Sequence, residues 1–573
     1  MFTFIAWHHS GGEATSREPD LDRVERVLVL DGVTRDGIVG RSGSFGLCVW
    51  DPEPEALRVR RFVRSESQAV AAIGAPAGVM HCAGTSAPEA VLLKLSEALR
   101  SSDDHIAKIA PPFAIVSCDV DVGVRCQTDG LGMARVYQSE RNRLWAWSNR
   151  PAALAAFGAA EFGEDELAWS GFAACGWFAE MSSPIHGVRR LAPGAVVLTS
   201  PNGAVRQKNT GVLSGWLNDY GQSYDSSATA DAMIEYVRAV ADLTGSTVES
   251  MLSGGRDSRV VSAAVFAAGV SASFTTLGPL QGEISTAQTL LAHLGGRVPH
   301  TVRQPSPPGE RAELRERVLG LHRTFDGDMT PIKLNSPVSG RLPARAVLGG
   351  AGGEIGHANY YTTARRLEDL KQDGSRAGVR RLQAYFRTMP GPTEESHQRV
   401  DRLVEYWAGV GREFGIDGPT FLDFFYLIER LRRWAPAANS PGSYSLFAVP
   451  EFIAAAFQMT PEERLGGQLH VDLLRRLVPA WADVAFYKAT SEESAIKSRR
   501  GLRIWQGKDR VSMTEVLDSP SSWSDVFEVE VIRRLWADAV EDRLANRFEA
   551  IFQRVVWRAV FSEYIADIRR SAG

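Results

Sequence analysis

The stretch that most constrains this chain is Ser253-Gly254-Gly255-Arg256-Asp257-Ser258, set between residues 247–252, which read as a strand, and residues 259–266, which read as the first turns of a helix. A glycine pair at such a junction lets the backbone turn sharply and come close to a ligand with no Cβ in the way. The helix that follows aims its free N–H groups and positive dipole end into the same gap, which suits an anion such as pyrophosphate. Ser253 and Ser258 add hydroxyl donors, and Asp257 places a carboxylate where a phosphate-bridging Mg2+ could use it. An ordinary glycine turn with a polar cap uses the same residue types. Strand, six-residue motif and helix in succession favour a nucleoside triphosphate site. No Gly-x-x-x-x-Gly-Lys-Ser/Thr occurs, so this is not the kinase or GTPase loop.

Around the motif, helices and strands alternate. Residues 228–243 carry Met233, Ile234, Val237 and Val240 on one helical face. Residues 273–278 read as a strand, 283–294 as a helix closed by Gly295-Gly296, and 297–302 as a third strand weakened by Pro299. This order predicts a doubly wound parallel sheet with its ligand at the carboxyl ends of the strands. A further strand, 344–348, runs into Gly349-Gly350-Ala351-Gly352-Gly353-Glu354, whose glycines suggest close backbone approach to a ligand rather than a merely flexible loop. Residues 363–387, 397–414 and 419–434 have helical apolar spacing. The first two hundred residues instead show short apolar runs, among them 45–50, 113–118 and 144–148, separated by turns such as Thr128-Asp129-Gly130 and Pro193-Gly194.

At 573 residues, 44% hydrophobic and 23% charged, the chain is ordinary globular material too long for one core. A net charge of −4 gives no general reason to expect nucleic acid. Five scattered cysteines without a Cys-x-x-Cys suggest neither zinc nor a disulfide framework, and fit a cytoplasmic protein. The start has no basic residues ahead of an apolar core, so no signal peptide is expected. No apolar run is long enough to span a bilayer. His8, His9 and Ser10 are expected to be solvated or hydrogen-bonded surface groups near a terminus.

Ser-Gly-Gly-x-Asp-Ser resembles the pyrophosphate loop of ATP pyrophosphatases, and the flanking chain is similar to the asparagine synthetase class B superfamily, within it most of all the lasso peptide cyclases and β-lactam synthetases. Phe113-Ala114, Asp129-Gly130-Leu131-Gly132, Tyr137, Ser148-Asn149-Arg150 and Leu191-Ala192-Pro193-Gly194-Ala195 resemble, in that order, the glutamine amidotransferase domain of the synthetases. The resemblance implies an α/β protein. Residues 1–210 would form an amidotransferase-like α-β-β-α sandwich, and residues 211–573 a doubly wound parallel-sheet ATP pyrophosphatase domain with added helices. Glutaminases of this kind use an N-terminal cysteine exposed after loss of Met, and here position 2 is Phe2, which argues against glutamine hydrolysis.

The same resemblance implies ATP and Mg2+ as cofactors, with ATP on Leu252, Ser253, Gly254, Gly255, Asp257, Ser258, Leu277, Gly278, Gly349 and Gly350. Gly353 stands where the family has a metal-binding Asp, so Asp257 and Glu354 become the expected metal ligands. Asp326 and Asp328 are a secondary option, or else turn formers. Lys488, after Leu477-Val478-Pro479, matches the catalytic lysine, with Lys497 in reserve; a basic run, Lys497, Arg499, Arg500, Arg503, Lys508 and Arg510, would steer anions or be an exposed face. Glu429 would hold or deprotonate an incoming amine, or else serve in a surface salt bridge. The implied activity is adenylation of an Asp or Glu side chain in a lasso precursor peptide, followed by attack of the peptide's N-terminal amine. A leader-binding protein and a leader peptidase would be the partners, with no nucleic acid and no membrane. Alternatives are a β-lactam synthetase-like or asparagine synthetase-like ligase, disfavoured by Gly350 and Phe2 respectively, a non-catalytic nucleotide-binding scaffold, and a tRNA-modifying pyrophosphatase.

Overall fold

The computed structural model describes the chain except for residues 11–19, 31, 42, 75–78, 201–203, 218–222, 296–297, 305–311, 332–333, 335–341, 344, 491–492 and 494–502. Two six-stranded antiparallel sheets fill the first two hundred residues. One runs Arg189–Arg190, Tyr137–Arg141, Leu144–Ser148, Thr3–His9, Phe45–Trp50, Arg35–Val39. The other runs Val205–Asn209, Ala195–Thr199, Gly123–Thr128, Phe113–Asp119, Gln68–Gly74, Phe62–Arg64. Period-two alternation decides which side chains meet. Phe4, Ala6, Phe45, Leu47 and Val49 of the first sheet pack against Ala69, Ala71, Ala114, Val116 and Cys126 of the second. The opposite residues, Ile5, Trp7, Cys48 and Trp50, face the helices Leu21–Leu28, Pro151–Ala156 and Glu166–Cys175. On the outer side of the second sheet, Val70, Ala72 and Ile115 meet Val91, Leu92, Leu95 and Leu99 of helix Val91–Ser101. This is the α-β-β-α sandwich.

One expectation for this region fails. Residues 3–9 are a central strand of the first sheet, paired with both Phe45–Trp50 and Leu144–Ser148. His8 is fully buried there rather than solvated. The apolar run Phe2-Thr3-Phe4-Ile5-Ala6-Trp7 has β-sheet character on both faces, and burial of the strand carries the histidine in with it.

The third sheet is wholly parallel, in the order His300–Arg303, Ala272–Leu277, Val248–Met251, Ala346–Gly349, Ser443–Ser445. Successive crossovers build outward from Val248–Met251 on one side, and then the chain returns to its other side with Ala346–Gly349. The strand order therefore reverses at Val248–Met251, and that reversal opens a crevice at the carboxyl ends of these two neighbours. Helix Ser226–Thr244 enters the sheet on a sound local basis. Asp225 accepts from Ser227 and Ala228 N–H groups at 2.8 and 3.1 Å, Gly245 ends the helix in the left-handed region, and Met233, Val237 and Val240 are buried on one face. The third strand begins at His300, after Pro299, because proline cannot donate to a ladder. Residues 363–387 are two helices, Ala364–Gln372 and Ala377–Arg387, parted at Gly374, which holds φ 78°.

The apolar clusters cross the residue-210 boundary. Trp169, Phe172 and Ile185 share a core with Val318, Leu321 and Phe325 and with Val555, Val556 and Phe561 of the carboxyl-terminal helix Glu549–Ala572. Among the described residues no helix is long and apolar enough to cross a membrane.

Candidate active site

Both glycine loops singled out in the sequence lie at the switch point. Leu252–Gly255 leaves strand Val248–Met251, and Gly350–Gly353 leaves its neighbour Ala346–Gly349. The first loop folds on its own hydroxyls. Ser253 and Ser258 share a 2.6 Å hydrogen bond, the Gly255 N–H donates to Ser253 Oγ at 3.1 Å, and the Ser253 N–H donates to Ser258 Oγ at 3.2 Å. Gly255 caps helix Arg256–Ala267 without a side-chain acceptor. The helix's first-turn N–H groups thus have no capping side chain, as an anion site requires. Deeper in, Ser250 and Ser262 hydroxyls bond at 2.8 Å and tie strand to helix.

The two loops touch through Asp257. A Cβ placed on Gly353 would stand 2.2 Å from Asp257 Oδ1, and one on Gly350 would stand 2.9 Å from Asp257 Cβ. Glycine at 353 is therefore fixed sterically: with Asp257 turned this way no side chain fits there. What grips the Asp257 carboxylate is a pair of histidines. His470 Nε2 lies 2.8 Å from Oδ1, and His357 Nε2 lies 3.1 Å from Oδ1 and 3.2 Å from Oδ2. His470 belongs to helix Gln468–Leu477 and is fully buried; His357 ends the short 3-10 turn Gly353–Gly356 and is partly exposed. Burial alone would raise the Asp257 pKa, but the hydrogen bonds from His357 and His470 hold it well below the ordinary carboxylate range. Burial depresses His470, whereas at His357 the bond to Asp257 outweighs burial and raises it.

Glu354 sits beside this group without joining it. It accepts the Gly352 N–H at 2.9 Å, and burial, with the Asp257 charge, raises its pKa. Asp257, His357 and His470 bring their ligand atoms within 4.8 Å of one another, and Glu354 is not a member of that set. Both histidines were missed in the sequence. His357, three residues beyond Glu354 in the same glycine-rich segment, was the available signal; His470 had none.

The segment that leads to Lys488 packs against the motif. Arg259 bonds the carbonyls of Val484 and, at 3.0 Å, Ala485, and its guanidinium lies 4.4 Å from the Phe486 ring centroid. The Tyr487 N–H donates to the Gly254 carbonyl at 3.0 Å, and Tyr487 packs so closely that a Cβ on Gly254 would stand 2.3 Å from its own Cβ. Lys488 follows directly and is exposed. Lys497, with Arg499 and Arg500, lies outside the described residues. Arg503 is ion-paired with Glu549 at 2.7 Å, and Lys508 and Arg510 are exposed on helix Gly507–Asp518. Leu252 is buried strand-end core, Leu277 is 45% exposed at the next strand end, and Gly278 donates to Arg303 O at 2.9 Å.

Three acidic candidates fall elsewhere. Glu429 is neither a surface group nor a base facing an open pocket. It is fully buried and accepts from the indoles of Trp407 at 2.9 Å and Trp177 at 3.2 Å, from the Glu180 N–H at 2.9 Å and from Arg432 at 3.1 Å. Its oxygens are committed to tying the sandwich to the helices beyond the sheet. Asp326 ends helix Leu314–Phe325 in the left-handed region, so it is a turn former, and it also accepts from Arg150 Nε at 2.8 Å and the Tyr564 hydroxyl at 2.7 Å. Asp328 takes the Tyr137 hydroxyl and lies 3.6 Å from Arg190. Both aspartates are anchors between the sandwich and the helices beyond it, not metal ligands.

In the sandwich, the amidotransferase-like residues serve the fold. Asp129 is fully buried and accepts four backbone N–H groups, from Phe113, Leu131, Met133 and Ala134, while Asn149 bonds the backbone of Phe2 and Phe4. Phe2 is itself buried. Burial pushes the thiols of Cys48, Cys118 and Cys175 up to about 12, the opposite of an activated nucleophile.

No family model matches the chain, and no curated protein matches it. Among solved structures it is similar to a glutamine phosphoribosylpyrophosphate amidotransferase from B. subtilis complexed with ADP and GMP, at 12% identity and a TM-score of 0.24, over 63% of this chain and 84% of that one. It is similar also to a structure described as the allosteric regulatory enzyme of purine biosynthesis, at 12% identity and a TM-score of 0.26, over 55% of this chain and 82% of that one. A likeness this slight bears on neither the fold nor the activity.

Proposed function

We propose that this chain is an ATP-dependent amide-forming ligase that adenylates a carboxylate, and that its product is a macrolactam in a ribosomally made lasso peptide. The observation that carries the first half is the placement of Ser253–Ser258 at the strand-order reversal, with a helix N-terminus behind it and a second glycine loop opposite. The β- and γ-phosphates of ATP would lie on the amides of that loop, held by Ser253 and Ser258. A substrate carboxylate oxygen attacks the α-phosphorus, the bond to the β-phosphate breaks, and pyrophosphate leaves. An amine then attacks the acyl-adenylate, an amide bond forms, AMP departs and the amine gives up a proton. Lys488, delivered by the Arg259-anchored segment, supplies the positive charge that offsets charge building on the α-phosphate.

Mg2+ is the ion the resemblance brings with ATP. The donors around Asp257 do not suit it. Mg2+ takes oxygen ligands and retains water, whereas the carboxylate here is flanked by two imidazoles and the next acid, Glu354, is held by a backbone amide.

The second half, the lasso substrate with a leader-binding protein and a leader peptidase as partners, rests on the sequence resemblance. The amine would then be the peptide's own. Incubation of the chain with ATP and candidate leaderless peptides should convert the right one to a product lighter by one water, with AMP formed in equal amount. Formation of ADP instead, or a free linear peptide with ATP consumed, would overturn this reading.

A further inference from the structure

We propose that Asp257, His357 and His470 form a binding site for a divalent transition-metal ion of the zinc, cobalt or manganese kind, chosen over Mg2+. The three residues come from separate elements: the first turn of helix Arg256–Ala267, the residue closing the turn Gly353–Gly356, and helix Gln468–Leu477. Nothing local brings them together, since His357 is 100 and His470 213 residues from Asp257.

Their geometry is that of cis ligands. The imidazole nitrogens stand 2.8 and 3.1 Å from the same carboxylate oxygen. Around an ion with ligand bonds of about 2.1 Å, adjacent ligand atoms stand roughly 3.0 to 3.4 Å apart. A shift of a few tenths of an ångström would admit the ion. The two rings are 5.2 Å apart and inclined at 64°, so their nitrogens converge on the carboxylate from different directions. One flank of the group is packed against glycines: a Cβ on Gly353 would enter the carboxylate at 2.2 Å, and one on Gly356 would come within 3.0 Å of His470 Cε1.

His470 is fully buried, so its ring is held beside the carboxylate by the packing around it. Two imidazoles and one carboxylate, with the remaining coordination positions open, form a donor set suited to borderline ions and not to Mg2+.

The ion's use with nucleotide rests on the function proposed above. The ion site itself does not. The test is accordingly made without nucleotide. Tag-free full-length chain, stripped with chelator and dialysed, is titrated with Co2+ and followed by visible absorption, with circular dichroism confirming the fold. The expected result is one equivalent bound with ligand-field bands, displaced by Zn2+ and not by a hundredfold excess of Mg2+. His357→Gln, at a partly exposed position, should weaken the affinity at least a hundredfold while the circular dichroism is kept. His470→Ala should do so more severely, and should it fail to fold, His357→Gln alone decides. Equal Co2+ affinity in wild type and His357→Gln, or ready displacement by Mg2+, would overturn the proposal. ATP–pyrophosphate exchange, measured separately, tells failure of this site from failure of the ligase reading.

Discussion

Adding one methyl group at Gly353 tests how closely the two loops are coupled through Asp257. In Gly353→Ala the new carbon would lie 2.2 Å from Asp257 Oδ1 and 2.5 Å from Cγ, whereas an ordinary contact is about 3.5 Å. Carboxylate or loop must therefore give way by about 1 Å. If the carboxylate swings away it loses the 2.8 Å bond to His470; a hydrogen bond to a charged group is worth about 1.5–3 kcal/mol. If the loop moves instead, the overpacking costs about 1–3 kcal/mol. Either route misplaces a group facing the phosphates by about 1 Å, which in catalysis commonly costs about a hundredfold in rate. Gly350→Ala should be milder, because its methyl group would meet Asp257 Cβ at 2.9 Å and the Ser258 amide nitrogen at 3.1 Å. Gly320→Ala, in helix Leu314–Phe325 with nothing within 4 Å of the added carbon, is the control. ATP–pyrophosphate exchange should rank wild type and Gly320→Ala together, Gly350→Ala lower and Gly353→Ala lowest, at about one hundredth. Exchange by Gly353→Ala equal to wild type would refute the reasoning.

Lys488→Ala should cut exchange by about a hundredfold while leaving the denaturation midpoint unchanged, since Lys488 is exposed; a shifted midpoint with intact exchange would assign it a structural role. Glu429→Ala should lower stability by about 3–5 kcal/mol, because it strands buried Arg432 and three further donors, and activity per folded molecule should hold. A large loss of activity in fully folded Glu429→Ala would restore it as a base. His322 is buried, with Nε2 3.0 Å from the Trp557 carbonyl, and burial pulls its pKa down to about 3. Unfolding lets it bind a proton near its ordinary 6.5, so its contribution is complete above pH 6.5 and is lost as pH falls from there towards 3. The loss is on the order of 4 kcal/mol. Urea midpoints from pH 7 to pH 4 should fall for wild type and fall less for His322→Gln; parallel curves would contradict this.

The strand–loop–helix succession around residues 253–258 was readable from local pattern, although its residue types also serve ordinary capped turns, and the structure sets the two glycine loops side by side at the switch point. The β-rich character of the first two hundred residues was legible from short apolar runs and turns, whereas the α-β-β-α layering was implied only by the resemblance to amidotransferase domains. Residues that act across long separations were not legible. His470 meets Asp257 only because helix Gln468–Leu477 packs on helix Arg256–Ala267, which no spacing in the chain encodes. Glu429 looks like any acid on a charged helix until Trp177 and Trp407 close over it. His8 was misjudged because its position near the chain start outweighed the apolar residues before it; as part of a strand paired on both sides it is buried.

Pyrophosphate exchange by purified Asp257→Ala is the most direct trial of the account. With a carboxylate donor that supports exchange in wild type, the variant should keep its far-ultraviolet circular dichroism and return labelled pyrophosphate into ATP at no more than about one hundredth of the wild-type rate. Because Asp257 is the contact between the two glycine loops, a folded Asp257→Ala protein that exchanges as fast as wild type would contradict the account.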